Sequence, residues 1–423
     1  MAGKKRVGIV LFQLGGPDSR EAVQPFLLNL FLDPDIIPLG PLGLLRRPIA
    51  KLISSRRSIP VAKKYAEIGG RSPIGALTER QRQALVQAVS PHVDPVAVTA
   101  MRYWHPLTSE AVQGLRKAGP LDEIVLLPLY PHYSYATTLS SLKEWRRVYG
   151  QPDGGPPERT VDHFYDHPLY IEALVERIGS VLRQFADSSR IHLIFSAHGL
   201  PMSLVEKGDP YPKQIEATVR AVCELGAKQY TEWPRTHLLC YQSRVGPAKW
   251  LQPPLTETIE RLGREGVKEM LVVPISFVTE HIETLHEINI EAREDAEKVG
   301  IETFRMMPAV GTRRYLSQLL RIWSCARWES KQDRHRHGWR RRKWAVGRFE
   351  IWRFLSAYLY VGFPGGLRLS TSRAVAASSS RTRTRTRPRP SRLPAGSAWI
   401  VATIPASRRA PCARSASACV PNA

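Results

Sequence analysis

Five residues of this chain have the types and spacing that suit proton or metal chemistry: His198, His281, Glu283, Glu287 and Glu291. A neutral imidazole accepts a proton or ligates a borderline metal. Glu283, Glu287 and Glu291 stand at i, i+4 and i+8, which places three carboxylates on one stripe of a helix. Like charges at that spacing repel unless a cation, a proton or solvent compensates. Taken alone, such a stripe reads as a solvated face and a single His at a strand end as a structural residue. Their positions argue for more. His198 ends the apolar run of residues 191–201 (IHLIFSAHGLP). Glu283 follows the apolar run that opens residues 270–291 (MLVVPISFVTEHIETLHEINIE), with His281 two residues before it. Parallel α/β sheets collect their chemistry where strands end and helices begin.

The elements around these junctions alternate as such sheets require. Strand-like runs occur near residues 7–13, 96–101 and 124–129, then near 191–195, 237–241 and 270–275. Helical periodicity fills the intervals 78–89, 109–118, 170–185, 212–225 and 255–265. This predicts two doubly wound parallel halves with a cleft between them. The Pro/Gly-rich break QPDGGPPER at 151–159 sets the expected boundary, giving segments 1–150 and 151–322.

The rest of the sequence narrows the function. The segment MRYWHPLT at 101–108 ends a strand with guanidinium, aromatic and imidazole groups, a set that binds anionic aromatic ligands or makes edge packing before Pro106. LYPHYSYATTLSS at 129–141 is similar. The region 25–53 is apolar but broken by Pro and Gly. It reads as a core helix with a loop, or as an exposed apolar lip for a hydrophobic ligand or a membrane surface. Arg46, Arg47, Arg56 and Arg57 beside it suit carboxylates at a ligand's rim. Ser196 has no G-x-S-x-G elbow, which disfavours a serine hydrolase. Gly15 and Gly16 lack the G-x-G-x-x-G context, so a nucleotide site is weakly signalled. Five scattered cysteines form no C-x-x-C pair, which signals neither zinc nor a disulfide framework and suits a reducing cytoplasm.

The ordered segments LGGPDS, PFLLNLFLDPDII, GGRSPI, MRYWHPLT, LYPHYSYATTLSS, FSAHGLPMSLVEKGDPYP, YQSRVGPAKWL and EHIETLHEINIE together resemble the ferrochelatase family, from about residue 7 to residue 322. The resemblance implies two Rossmann-like domains of the chelatase fold, each with a parallel four-stranded sheet. It implies insertion of ferrous iron into a porphyrin, protoporphyrin IX or coproporphyrin, late in haem synthesis. Iron and porphyrin are then substrates, and no permanent cofactor is implied. By resemblance His198, Glu283 and His281 are catalytic, and His198, Glu283, Glu287 and Glu291 meet the metal. His198 and Glu283 are expected on opposing sides of the pocket, across the flat ligand. Arg56, Arg57, Tyr65, Ser72, Arg102, Tyr103, Trp250, Leu14, Phe26 and Leu27 are the implied porphyrin contacts, with residues 25–31 as the lip. Through that lip the protein is expected to touch the inner membrane peripherally from the cytoplasm; no nucleic-acid partner is implied, and the oligomeric state stays open. Gln13 replaces the family's usual Asn, and Glu280 its frequent Asp. Tyr135 stands where some members carry a cluster-binding Cys, so no iron–sulfur cluster is expected. The alternatives are another tetrapyrrole chelatase and a non-catalytic porphyrin binder.

The formal charge of +23 is misleading as a whole-chain value. Residues 323–423 hold 21 Lys+Arg against 3 Asp+Glu, leaving 40 against 35 for the rest. This segment, with HRHGWRRRKW and RTRTRTRPRPSR, reads as a disordered basic extension, a phosphate-binding arm, or translation out of frame. Arg-Thr alternation and the excess of Arg, Ser, Pro and Ala favour the last. Translating the underlying DNA in its other frames is expected to continue an α/β pattern after Ile322; if neither frame does, that reading fails.

Overall fold

The computed structural model describes residues 4–34, 40–150, 155–187, 190–244 and 248–312. All of them belong to one compact unit, Met1–Pro364; the basic segment 323–423 lies outside the described residues.

Among the described residues, eight strands make two parallel four-stranded sheets. β1 (Arg6–Gln13), β2 (Asp94–Met101), β3 (Glu123–Pro128) and β4 (Glu158–Thr160) stand in the order β2-β1-β3-β4. β5 (Ile191–His198), β6 (Thr236–Gln242), β7 (Glu269–Pro274) and β8 (Thr303–Met306) repeat it as β6-β5-β7-β8. A parallel sheet is covered on both faces, so its inner strands are apolar throughout. In β1, Val7, Ile9 and Leu11 share a core with Leu85 and Val89 of the helix Ile74–Val89. Val10 and Phe12 pack with Val112 and Leu115 of Thr108–Ala118 and with Leu142 and Trp145 of Ser140–Tyr149. In the second sheet, Leu193, Phe195 and Val273 pack with the helices Pro168–Leu182 and Tyr211–Gln229. Ile194, Met270 and Val272 pack with Leu255–Arg264 and with Ile288 and Ala292.

The structure departs from the sequence reading in five places. β4 and β8 had no apolar run to announce them; both are short and mostly half-buried. The break expected at 151 falls between β3 and β4, so the first sheet takes its fourth strand from beyond residue 150. β5 runs to His198, because Ala197 and His198 still pair with Tyr241 and Gln242 of β6. The carboxylate stripe lies on a π-helix, Glu283–Ala292, whose wider turn closes i→i+5 bonds.

The fifth departure concerns the lip. α1 (Val23–Leu32) packs on α2 (Arg46–Glu67), and Val23, Phe26, Leu27 and Phe31 are buried against Ala50, Ile53, Tyr65 and Tyr103. Phe26 and Leu27 thus form a core under the lip rather than its surface. Among the described residues, the exposed large apolar ones are Leu44, Leu45, Leu52 and Ile59. This cluster also takes in Ile282, the residue before Glu283, so the α1–α2 unit abuts the carboxylate helix.

Close helix packing sets the scaffold's tolerance. A Cβ added at Gly226 would lie 2.4 Å from the ring of Trp233. Helix propensity alone would favour Ala there by up to about 1 kcal/mol. Overpacking a rigid indole costs about 1–3 kcal/mol. Gly226→Ala is therefore expected to lower the thermal midpoint of the full chain; an unchanged or raised midpoint would show that Trp233 gives way freely.

Candidate active site

Because β5 and β7 are neighbours in the sheet, the two junctions emerge side by side, with Ser196 opposite Pro274. His198 Nδ1 lies 3.0 Å from Glu283 Oε2. A flat ring inserted between two groups needs about 3.5 Å of van der Waals distance on each side. The arrangement expected across a ligand is not the one observed: His198 and Glu283 form one contact pair, with no room for a ring between them.

The pair is tightly held. The His198 backbone N–H donates to Ser276 Oγ at 3.0 Å, and its carbonyl accepts from Tyr211 Oη at 3.0 Å. Gln242 Nε2 donates to the Glu283 carbonyl at 3.0 Å, while Gln242 Oε1 accepts from Ser196 Oγ at 2.7 Å. His281 is buried, with its Nδ1 3.1 Å from the Thr279 carbonyl and its Nε2 3.4 Å from Glu283 Oε2. A carbonyl only accepts, so Nδ1 carries hydrogen and Nε2 is turned to the carboxylate. From β1, Gln13 Nε2 reaches Thr279 Oγ1 at 3.4 Å, tying the first sheet to this loop. The Phe277 ring stands edge-on to both imidazoles, at centroid distances of 6.2 Å to His198 and 4.4 Å to His281.

The electrostatics follow from that contact. Burial pulls the His198 imidazole down, but the Glu283 charge, its hydrogen bond and the Glu287 charge outweigh it, so the pKa is raised. Burial would raise Glu283, yet His198 and His281 hold it well below the usual carboxylate range. Glu287 is pushed up to about 7, first by burial and then by the Glu283 charge, against the lowering effects of Ser243, His198 and Lys64. Ser243 donates its hydroxyl to Glu287 from a left-handed backbone (φ 63°), a conformation uncommon outside glycine. Glu291 is bound by Lys64 Nζ at 2.7 Å. Among the described residues, no three His, Cys, Asp or Glu side chains converge as a metal cage.

The remaining predicted contacts divide into two sets. Tyr65 is buried near Glu283 and Glu287; burial and then those charges raise its phenol. Trp250 lies against Gly199, where an added Cβ would meet the Gln242 carbonyl at 2.7 Å and the indole at 3.3 Å. A side chain at Gly199 would thus push the wall away from His198. Leu14 packs on the α1–α2 cluster. Ser72 is buried beside Gly16, at one wall of a cavity of about 640 Å³ that also touches Arg71, Trp104 and His105 but not His198 or Glu283. Arg56 is exposed and Arg57 half-buried on α2. Arg102 and Tyr103 are turned elsewhere. Arg102 Nη2 and Tyr103 Oη both reach Asp33 Oδ2, at 2.6 and 2.7 Å, and Arg102 Nε donates to Ser140 Oγ at 3.0 Å. Through these bonds they brace the end of α1.

Sequence reasoning did not single out Asp33, Ser243, Gln242, Tyr211 or Ser276. Asp33 is 69 positions from Arg102, and only the fold joins them. The hydroxyls of residues 276–284 were the one local signal.

A ferrochelatase family profile matches residues 6–326. The ferrochelatase of Geotalea daltonii is 47% identical over 309 residues, covering 73% of this chain and 93% of the relative. That of a Picosynechococcus strain is 46% identical over 311 residues, covering 73% and 79%. SirB from Bacillus subtilis, solved with Fe3+, superposes with a TM-score of 0.47 at 11% identity over 78% of this chain and 98% of that one. On the profile match and the identity to these relatives, the chain belongs to the ferrochelatase family, the lyases that insert metal into porphyrin in haem synthesis.

Proposed function

We propose that the protein inserts ferrous iron into protoporphyrin IX, and that His198 takes the pyrrole protons. The observation carrying this is the 3.0 Å contact of His198 with Glu283 at the ends of adjacent strands. Metallation needs loss of two N–H protons from a rigid ring. A base that is raised in pKa yet kept at a strand tip suits that task. His281 steadies Glu283 from its other side. Glu287, poised near neutrality, passes protons on from the pair. The ion pair of Lys64 with Glu291 supports a proton route over a metal route along this stripe, because an ammonium already neutralises its outer carboxylate. Iron is substrate here, and we assign no resident cofactor or cluster.

Substrate and membrane readings rest on α2. Arg56 and Arg57 offer guanidinium groups for two propionates, which supports protoporphyrin over the four-propionate coproporphyrin. Leu44, Leu45, Leu52 and Ile59 are exposed beside Arg47 and Lys51, a pattern that supports peripheral contact with an anionic membrane surface from the cytoplasm. No described helix is long and apolar enough to cross a membrane.

Ferrous iron insertion, followed by loss of free-porphyrin fluorescence, is expected to be faster with protoporphyrin than with coproporphyrin. The reverse order would move the assignment to coproporphyrin, and simple stoichiometric quenching would indicate a binder. His198→Ala should lose more than about 100-fold in turnover, in line with general-base losses, while still binding porphyrin. Near-normal insertion by that variant removes His198 from the mechanism.

The pH dependence has a definite sign. Below its raised pKa, His198 is an imidazolium and cannot accept a proton. kcat/KM should thus fall as pH drops through that value, with the limb above the ordinary histidine value of about 6.5. Glu283→Gln removes the charge that raises it and leaves burial, which lowers it. The His198 ring proton followed by NMR should then titrate at lower pH; no shift would mean that Glu283 does not set its basicity.

A further inference from the structure

His286 takes no part in the chemistry above, yet it is buried at 3% exposure on the catalytic π-helix. Its Nε2 lies 3.0 Å from Glu67 Oε2, and its Nδ1 stands 3.5 Å from Glu291 Oε2, within charge-contact range but making no hydrogen bond. Two features make these contacts informative. Glu67 is the last residue of α2, where the helix dipole disfavours a carboxylate, so a donor from outside the helix is what compensates it. His286 and Glu291 are five residues apart. On an α-helix, side-chain neighbours are three or four apart, and residues five apart point in different directions. On a π-helix, five residues close one turn. The His286–Glu291 contact therefore exists only while the segment keeps its wide register.

We infer that His286 is a positioning residue that locks the π-register of Glu283–Ala292 and fastens it to α2 through Glu67. The inference deepens the functional reading above and rests on it for the meaning of the carboxylate stripe. If the segment relaxed to α-helical turns, the three carboxylates would still share a stripe, but Glu291 would turn away from His286 and the stripe would shift against α2. Lys64 and Tyr65 would lose their alignment with the stripe, since both ride on α2. One imidazole thus joins the helix bearing the porphyrin contacts to the helix bearing the proton route. His286 acts through Glu67 and Glu291 and does not itself meet the substrate.

The test compares His286→Leu with His286→Gln in the full chain. Leucine keeps bulk but has no donor; the glutamine amide can still donate to Glu67. His286→Leu is expected to lower kcat for ferrous iron insertion by about tenfold to a hundredfold, the scale of a misplaced catalytic group. Its porphyrin dissociation constant should stay within about twofold, so the loss falls on turnover and not on binding. His286→Gln should recover most of the rate. By hydrogen exchange, the amides of residues 287–292 should open at least about tenfold faster in the leucine variant than in the glutamine variant. Wild-type kcat in His286→Leu, or equal exchange in the two variants, overturns the inference. Should His286→Leu not fold, Glu67→Gln tests the same pair from the surface of α2. Faster exchange at 287–292 in it supports the lock, and wild-type exchange there overturns it. If the wild-type protein inserts no iron, the functional reading fails while the exchange comparison still decides the register lock.

Discussion

The contact between His198 and Glu283 is the constraint around which the rest of the site is arranged. Each group changes the other: the carboxylate makes the imidazole a stronger base, and the imidazole keeps the carboxylate ionised. Such a pair in a half-buried position stays ordered only if its backbone is fixed on both sides, because leaving either charge alone would cost several kcal/mol. The structure fixes both. Ser276 and Tyr211 hold the His198 backbone, and Gln242, itself held by Ser196, holds that of Glu283. These partners come from β5, β6, the loop after β7 and the helix Tyr211–Gln229, so the whole second sheet is recruited to orient two side chains.

The two sheets share one strand order but divide the labour. The connection from β1 to β2 carries α1 and α2, which bring Lys64 and Tyr65 beside the carboxylate stripe. The connection from β5 to β6 carries no such insertion over the site; its strand end carries His198 instead. A π-helix follows β3 at Tyr135–Leu139, as another follows β7 at Glu283–Ala292. The first is capped across the cleft: Asp209 accepts from the Tyr135 backbone N–H and from Ser134 Oγ, both at 2.8 Å. It therefore serves to join the two sheets. The second carries the acidic stripe. The same local irregularity is used once for assembly and once for chemistry.

How much of this was legible depends on how local the signal was. Central strands were visible because burial on both faces demands unbroken apolar runs, as in β1 and β7. β4 and β8 were not, since edge strands of three and four residues need only a few pairing partners. His198, Glu283 and His281 were visible as types at strand ends. Their mutual contact was not, because it depends on which strands are neighbours. Knowing the order β6-β5-β7 would have shown that the two ends emerge side by side. The spacing of Glu283, Glu287 and Glu291 read correctly as a stripe, while the π-turn beneath it left no mark in apolar periodicity.

Arg102 and Tyr103 show the opposite limit. Their types suited a ligand, and the resemblance placed them on the pocket wall. The fold spends both on Asp33, a buried carboxylate at the end of α1. That use follows from energetics. An acid buried at 4% exposure needs charged or hydroxyl donors, and the strand end of β2 supplies a guanidinium and a phenol within reach. The result still bears on the candidate site, one step removed. Asp33 fixes α1, α1 packs on α2, and their shared core touches Ile282 beside Glu283. The α1–α2 unit and the His198–Glu283 pair are thus joined through a continuous apolar cluster as well as through polar contacts, so a shift of α1 is felt at Glu283.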